Sequence, residues 1–172
     1  MSYLRPYRAL FATLSMLVSA SAAAQSSQPT PKAGSEDIIL GAWSDPARCN
    51  AKNAKPFTFD EVVRSGPALN GRCVAVEGFW ARRALFGRAA HADRRKSNVL
   101  PALEHKRIGI YAREEILEHA PQRATRYTIV GIVGQCETEW PDATMVMGYC
   151  HYTGGPIIKV AKAIAAPVRN VR

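Results

Sequence analysis

Arginine dominates the first group of residues in this chain that could do chemistry. Residues 82–98 hold six basic side chains and one acidic side chain, Asp93, so the segment has a net charge of 6 − 1 = +5. A guanidinium group pairs with both oxygens of a phosphate or carboxylate, so the cluster predicts binding of phosphates, anionic lipids or glycan carboxylates. The alternative to a binding site is a solvent-exposed basic loop that binds no specific ligand. The basic ligand-binding candidates are Arg82, Arg83, Arg88, Arg94, Arg95 and Lys96.

A second group of reactive side chains lies in residues 145–156, with the sequence MVMGYCHYTGGP. Its methionines, cysteine, histidine and tyrosines combine soft and imidazole ligands that copper or haem could use. The alternative is a hydrogen-bonded structural histidine, and a disulfide at Cys150 would remove the thiolate ligand. The candidate ligand-binding residues outside the basic segment are Tyr111, Trp140, Tyr149, His151 and Tyr152.

The four cysteines of the chain form the third group. An even number in an exported protein favours two disulfides, for which three connectivities are possible. Cys49–Cys73 and Cys136–Cys150 are preferred, because each closes a local loop. No Cys-x-x-Cys pair is present, so the spacing does not favour a structural metal.

The start of the chain reads as an export signal. Residues 1–24 combine Arg5 and Arg8, an apolar stretch at 9–18 and a tail of small residues before Gln25. The apolar stretch is shorter than the roughly 20 residues of a membrane-spanning helix. We therefore expect a periplasmic or secreted protein with no transmembrane segment after signal cleavage.

The length of 172 residues is that of one domain. The polar, proline-containing residues 25–36 predict a disordered leader, and residues 37–172 predict a single β-rich domain. The formal charge of +9 falls to +7 when the two arginines of the signal peptide are removed. Residues 82–98 have a net charge of +5, which equals five of these seven charges, so the basicity is a local feature.

Alternation of apolar residues and β-branched composition predict five strands in the domain. A capping box at Thr58 and Glu61 predicts a short helix ended by Gly66-Pro67, and a second helix is expected at 113–119. Residues 37–43 predict a first strand or an anchoring segment, and residues 137–155 a long connection. The five predicted strands are residues 72–81, 84–86, 106–112, 127–136 and 156–164, the last of which could also form a short helix.

This order, with a helix between the third and fourth strands and bending glycines in the first and fourth, resembles the OB-fold, a five-stranded Greek-key barrel. The resemblance covers about residues 72–165 and rests on the element order and on the segments VAVEGFW and YTIVGIVG. It implies a mainly β fold with one or two short helices, to which the cysteine count adds the two predicted disulfides. A flattened β-sandwich would explain the same strand pattern.

OB-folds usually bind ligands on the face of strands 2 and 3 and on the loops joining strands 1–2 and 4–5. In this chain these regions correspond to residues 82–98, 106–113 and 137–155. The resemblance therefore makes the basic segment and the second reactive group candidate ligand-binding regions. It carries over no catalytic residue, since a fold does not fix a function.

These patterns predict an exported, non-enzymatic domain that recognises a partner protein or an anionic envelope ligand through the basic segment and residues 137–155. The alternatives are a metal- or haem-handling protein centred on His151 and a secreted hydrolase without a recognisable motif. The His-x-x-x-Tyr spacing of periplasmic haem chaperones is absent, because His151 and Tyr152 are adjacent.

Other kinds of partner and chemistry are less favoured. Strand alternation places Phe79 and Trp80 on opposite faces, so at most one could stack on a base, which makes nucleic acid a weaker candidate. The chain has no Gly-x-Ser-x-Gly, His-Glu-x-x-His or phosphate-binding glycine motif. We predict no catalytic residue, no cofactor and no metal ligand.

Overall fold

The computed structural model describes residues 38–92 and 107–167. The predicted signal peptide and leader, and the candidates Arg94, Arg95 and Lys96, lie outside these ranges. No helix within them is long and apolar enough to cross a membrane. The strands are β1 (Ile38–Ile39), β2 (Lys55–Phe57), β3 (Cys73–Ala81), β4 (Ala84–Phe86), β5 (Arg107–Tyr111), β6 (Thr125–Gln135), β7 (Met145–Val146) and β8 (Pro156–Ala165). The helices are α1 (Phe59–Ser65), α2 (Glu114–Glu118), α3 (Cys136–Glu139) and α4 (Tyr149–Tyr152), with 3₁₀ helices at Gly66–Leu69 and Ala89–Ala92.

Five strands close into a barrel in the order β3-β4-β5-β8-β6, and β6 pairs back onto β3. Neighbouring strands are antiparallel except β5 and β8, which run parallel. Helix α2 connects the third and fourth barrel strands. The predicted OB-like Greek-key barrel is thereby confirmed, and the closed sheet excludes the flattened sandwich. Outside the barrel, β2 pairs in parallel with the start of β3.

The barrel core follows the alternation of β3. Val74, Val76 and Trp80 are buried, while Phe79 on the opposite face of the strand is only partly buried. The rings of Trp80 and Tyr127 contact each other edge to face, with their centroids 5.0 Å apart. Trp80 is therefore a core residue, which removes it as a stacking platform.

A bulge between β6 and β8 bends the barrel at Gly131. The register shifts between Val130 and Gly131, and a Cβ at Gly131 would collide with the carbonyl oxygen of Lys159. The hydroxyl of Ser44 donates to that carbonyl and accepts from the N–H of Ile132 at 3.0 Å. The chain before β2 thus satisfies backbone groups of both strands at the bulge. The bulge at Gly131 confirms the bending glycine that the sequence predicts in the fourth strand.

Two disulfides staple the domain, and both join the pairs preferred from the sequence. Cys49–Cys73 links the segment before β2 to the start of β3, and Cys136–Cys150 links α3 to α4. No cysteine is left free. The second disulfide ties together the two ends of the connection between β6 and β8.

The capping box forms as the sequence predicts. The Thr58 hydroxyl accepts from the N–H of Glu61, and the Glu61 carboxylate accepts from the Thr58 N–H at 2.7 Å. The Thr58 N–H and the Thr58 hydroxyl both donate to the Glu61 carboxylate, and they lower the pKa of Glu61 because they favour its charged form. Helix α1 ends at Ser65, directly before Gly66-Pro67 as predicted, and the chain then continues as a 3₁₀ helix to Leu69.

Two other segments differ from their predicted form. Within 38–43, the described part of this segment, only Ile38–Ile39 forms a strand, and it pairs in parallel with β7 outside the barrel. Residues 137–155 contain strand β7 and helix α4, with most of α3. These elements have two to four residues each, too short to produce a periodic apolar pattern. They position one wall of the cleft described next.

Candidate anion-binding cleft

A cleft of about 1100 Å³ opens on the side of the barrel formed by β4 and β5. Its described lining comes from the turn between β3 and β4, from β4 and the following 3₁₀ helix, from the start of β5, from the connection before β6 and from α4. Among the lining residues that the structure describes, four are arginines and none is Asp or Glu. We call it the arginine cleft; its arginines are Arg82, Arg83, Arg107 and Arg123.

The two-residue turn between β3 and β4 places Arg82 and Arg83 on the cleft wall. Arg82 has a positive φ of 55°, which is unusual for a residue with a side chain. Its N–H donates to the carbonyl of Pro121 at 2.8 Å, and its carbonyl accepts from Nε1 of Trp80 at 2.8 Å. The bond to Pro121 holds the turn against the connection that carries Arg123, so side chains distant in sequence share one wall.

Arg107 is the most firmly positioned of the cleft arginines. Its guanidinium lies over the ring of Tyr149, 5.5 Å from the centroid, and its Nη2 donates to Oγ1 of Thr153 at 3.1 Å. Its Nε is buried and has no hydrogen-bond partner among the described residues. A buried guanidinium donor without an acceptor is costly, so an anion in the cleft could lower this cost.

Tyr149 forms part of the cleft floor, together with Ala81 and Ala84. Gly109 of β5 allows this, because a Cβ there would lie 2.6 Å from Cγ of the Tyr149 ring. The ring can therefore pack directly on the strand backbone. The floor is apolar while the walls carry positive charge.

Tyr111 lies beneath the cleft and supports α4 from below. Its buried hydroxyl donates to the carbonyl of Met147 at 2.7 Å and accepts from the N–H of Cys150 at 3.0 Å. Burial raises the pKa of Tyr111, although the Cys150 hydrogen bond and the positive charge of Arg83 partly oppose this. The disulfide Cys136–Cys150 holds the same wall covalently.

Tyr111→Phe is expected to lower the free energy of unfolding by about 1–3 kcal/mol at neutral pH, because two backbone groups lose their partner. Folding raises the pKa of Tyr111 above its ordinary value of 10.0, so the stability contributed by its protonated form is complete below that pH. This contribution is lost as the pH rises through the folded-state pKa. Urea unfolding should show that, as the pH rises above about 10, the variant loses less unfolding free energy than the wild type. Parallel plots of unfolding free energy against pH for the two proteins would contradict the prediction.

The structure brings together some of the predicted site residues and separates others. Arg82, Arg83, Tyr149 and Tyr152 line the cleft. Arg88 is exposed and outside the lining, and Trp140 packs against Tyr111 at 5.1 Å. His151 is exposed outside the lining and contacts Tyr152. Tyr111 was expected to meet ligand, but it is completely buried and acts as a support.

Several cleft residues were not singled out from the sequence: Arg107, Arg123, His91 and Thr153. Arg107 lies within residues 106–113, which the OB-fold resemblance assigned to the binding face, so the arginine in that strand could have been named. Arg123 had no such indication. It reaches the cleft through the hydrogen bond between Arg82 and Pro121, which depends on the folded barrel.

The second reactive group was also considered as a metal or haem site. In the described part of the chain, no group of three or more His, Cys, Asp or Glu side chains could hold a metal ion. The sulfur of Cys150 belongs to a disulfide and is not a free thiolate. The ring of His151 instead lies 4.4 Å from that of Tyr152.

Comparison with known proteins gives no match. Neither a protein-family model, nor a curated protein, nor a solved structure matches this chain significantly.

Proposed function

We propose that this protein is an exported, non-enzymatic binding domain that holds an anionic ligand in the arginine cleft. The observation that carries the proposal is the placement of four arginines, with no carboxylate in the described lining, around one apolar floor. Such a surface attracts anions and offers forked donors to phosphate or carboxylate oxygens. The location agrees with the surface that OB-folds use.

Two features support the export part of the proposal. All four cysteines form disulfides, which persist mainly in oxidising compartments. Residues 1–24 have the layout of a cleavable signal peptide. The periplasm or the extracellular space is therefore the proposed location, and an anionic envelope component the proposed kind of ligand.

Calorimetric titration with inorganic tripolyphosphate tests the anion-binding proposal. We expect saturable binding that weakens as the salt concentration rises, because salt screens charges at a solvent-filled cleft. The double variant Arg82→Gln/Arg83→Gln should bind at least tenfold more weakly. The matched control Arg48→Gln/Arg72→Gln removes the same charge from exposed positions outside the described lining and should retain binding. Absence of saturable binding, or equal weakening in both variants, would contradict the proposal.

A further inference from the structure

Tyr152 lines the cleft and yet is 83% exposed, the largest exposed fraction among the large apolar side chains that the structure describes. The ring of His151 meets it edge to face, with centroids 4.4 Å apart and an interplanar angle of 87°. Such a contact holds one ring against another and leaves much of the tyrosine surface free. Tyr152 is thus an aromatic platform at the cleft rim.

The cleft offers more than charge. A volume of about 1100 Å³ slightly exceeds the usual range for organic-ligand pockets, roughly 300–1,000 Å³. A lone phosphate ion would fill a small part of it and would leave the alanines and Tyr149 of the floor uncovered. A ligand that covers both kinds of surface must carry an apolar body as well as an acidic group.

We infer that the cleft selects anions that carry a planar aromatic ring, with the ring stacked on Tyr152 and the acidic group held by Arg107 and its neighbouring arginines. The inference rests on the proposed function and narrows its ligand class. Tyr149 is covered by the guanidinium of Arg107, so Tyr152 is the tyrosine of α4 with its ring open to a ligand. Aromatic rings stack on tyrosine faces, and the contact tolerates many ring types.

The first experiment compares ATP with inorganic tripolyphosphate, without divalent metal, by calorimetry on the purified protein. Tripolyphosphate carries at least as much negative charge, so charge alone predicts that it binds as tightly or more tightly. Stacking on Tyr152 predicts the opposite, with ATP about tenfold tighter. The pair AMP and ribose 5-phosphate isolates the base, because the two compounds share sugar and phosphate, and AMP should again bind about tenfold more tightly.

Variants locate the stacking contact. Tyr152→Ala should lower ATP affinity about tenfold and leave tripolyphosphate affinity unchanged, while Tyr152→Trp should retain ATP binding. Trp43→Ala is the matched control, since Trp43 is 53% exposed but does not line the cleft. His151 acts as a positioning residue. His151→Ala should weaken ATP binding several-fold without an effect on tripolyphosphate, which separates ring orientation from charge.

The possible failures of the two proposals can be told apart. Tight binding of tripolyphosphate with no gain for ATP, or equal binding of AMP and ribose 5-phosphate, would overturn the ring inference and leave the arginine cleft intact. An effect of Tyr152→Ala no larger than that of Trp43→Ala would overturn it also. No binding of any of the four compounds would overturn the proposed function itself.

Discussion

Arg107→Gln is expected to weaken the binding of tripolyphosphate more than the loss of any other single cleft arginine. Hydrogen bonds to charged groups contribute about 2 kcal/mol, which corresponds to roughly thirtyfold in affinity. Arg107 is already held between Tyr149 and Thr153, so it loses little side-chain freedom when an anion binds. Calorimetric titration of variant and wild type measures the difference.

Two further variants control this prediction. Arg123→Gln removes the same charge from an exposed cleft arginine, and we expect a loss of about fivefold or less, because exposed charge pairs contribute little. Arg107→Lys should not restore wild-type affinity, since an ammonium group has no planar fork to lie over Tyr149. Equal losses for Arg107→Gln and Arg123→Gln would contradict the special position of Arg107.

Removal of the disulfide Cys136–Cys150 is expected to weaken both the fold and the cleft. The serine variant of both cysteines should lose about 3 kcal/mol of unfolding free energy in the chain-entropy model. It should also bind tripolyphosphate several-fold more weakly, because α4 carries Tyr149 and Tyr152 and is fixed by this bond. Urea unfolding and calorimetry measure the two effects.

The other disulfide supplies the matched control. Cys49–Cys73 closes a loop of 24 residues against 14 for Cys136–Cys150, so its removal should cost about the same stability. Neither Cys49 nor Cys73 belongs to the described lining, and we expect anion affinity to be retained in that variant wherever it is folded. Equal loss of affinity in the two double variants would mean that general destabilisation, and not the wall at α4, explains the effect.

Most of the barrel could be predicted because its signals are local. The alternation in β3, the β-branched residues of β6 and the bending position at Gly131 each lie within one strand. The disulfide pairing could also be preferred from the sequence, since both bonds close short loops. The short helices between β6 and β8 could not be predicted from the sequence. Each has only four residues, which is too few for a periodic pattern, and they are held by a disulfide and by Tyr111.

The candidate binding surface was likewise predictable only in part. Arg82, Arg83, Tyr149 and Tyr152 were proposed from residue type and from the OB-fold resemblance, and the fold brings them to one cleft. Tyr111 was proposed on the same grounds, but its side chain is buried, since burial depends on which neighbours cover a strand. Residue type could therefore nominate cleft residues but could not separate lining residues from supporting ones.

The amino-acid sequence by itself determined the order of the elements along the chain, a bending glycine in the fourth barrel strand and the capping box, and it favoured the observed cysteine pairs, because these signals are local in the chain. Only the tertiary structure decided which charges act together. Closure of β3 on β6 and the hydrogen bond from Arg82 to Pro121 bring Arg123 to the wall that Arg82 and Arg83 occupy. The distance between such charges is set by the packing of the whole barrel, and no local pattern encodes it.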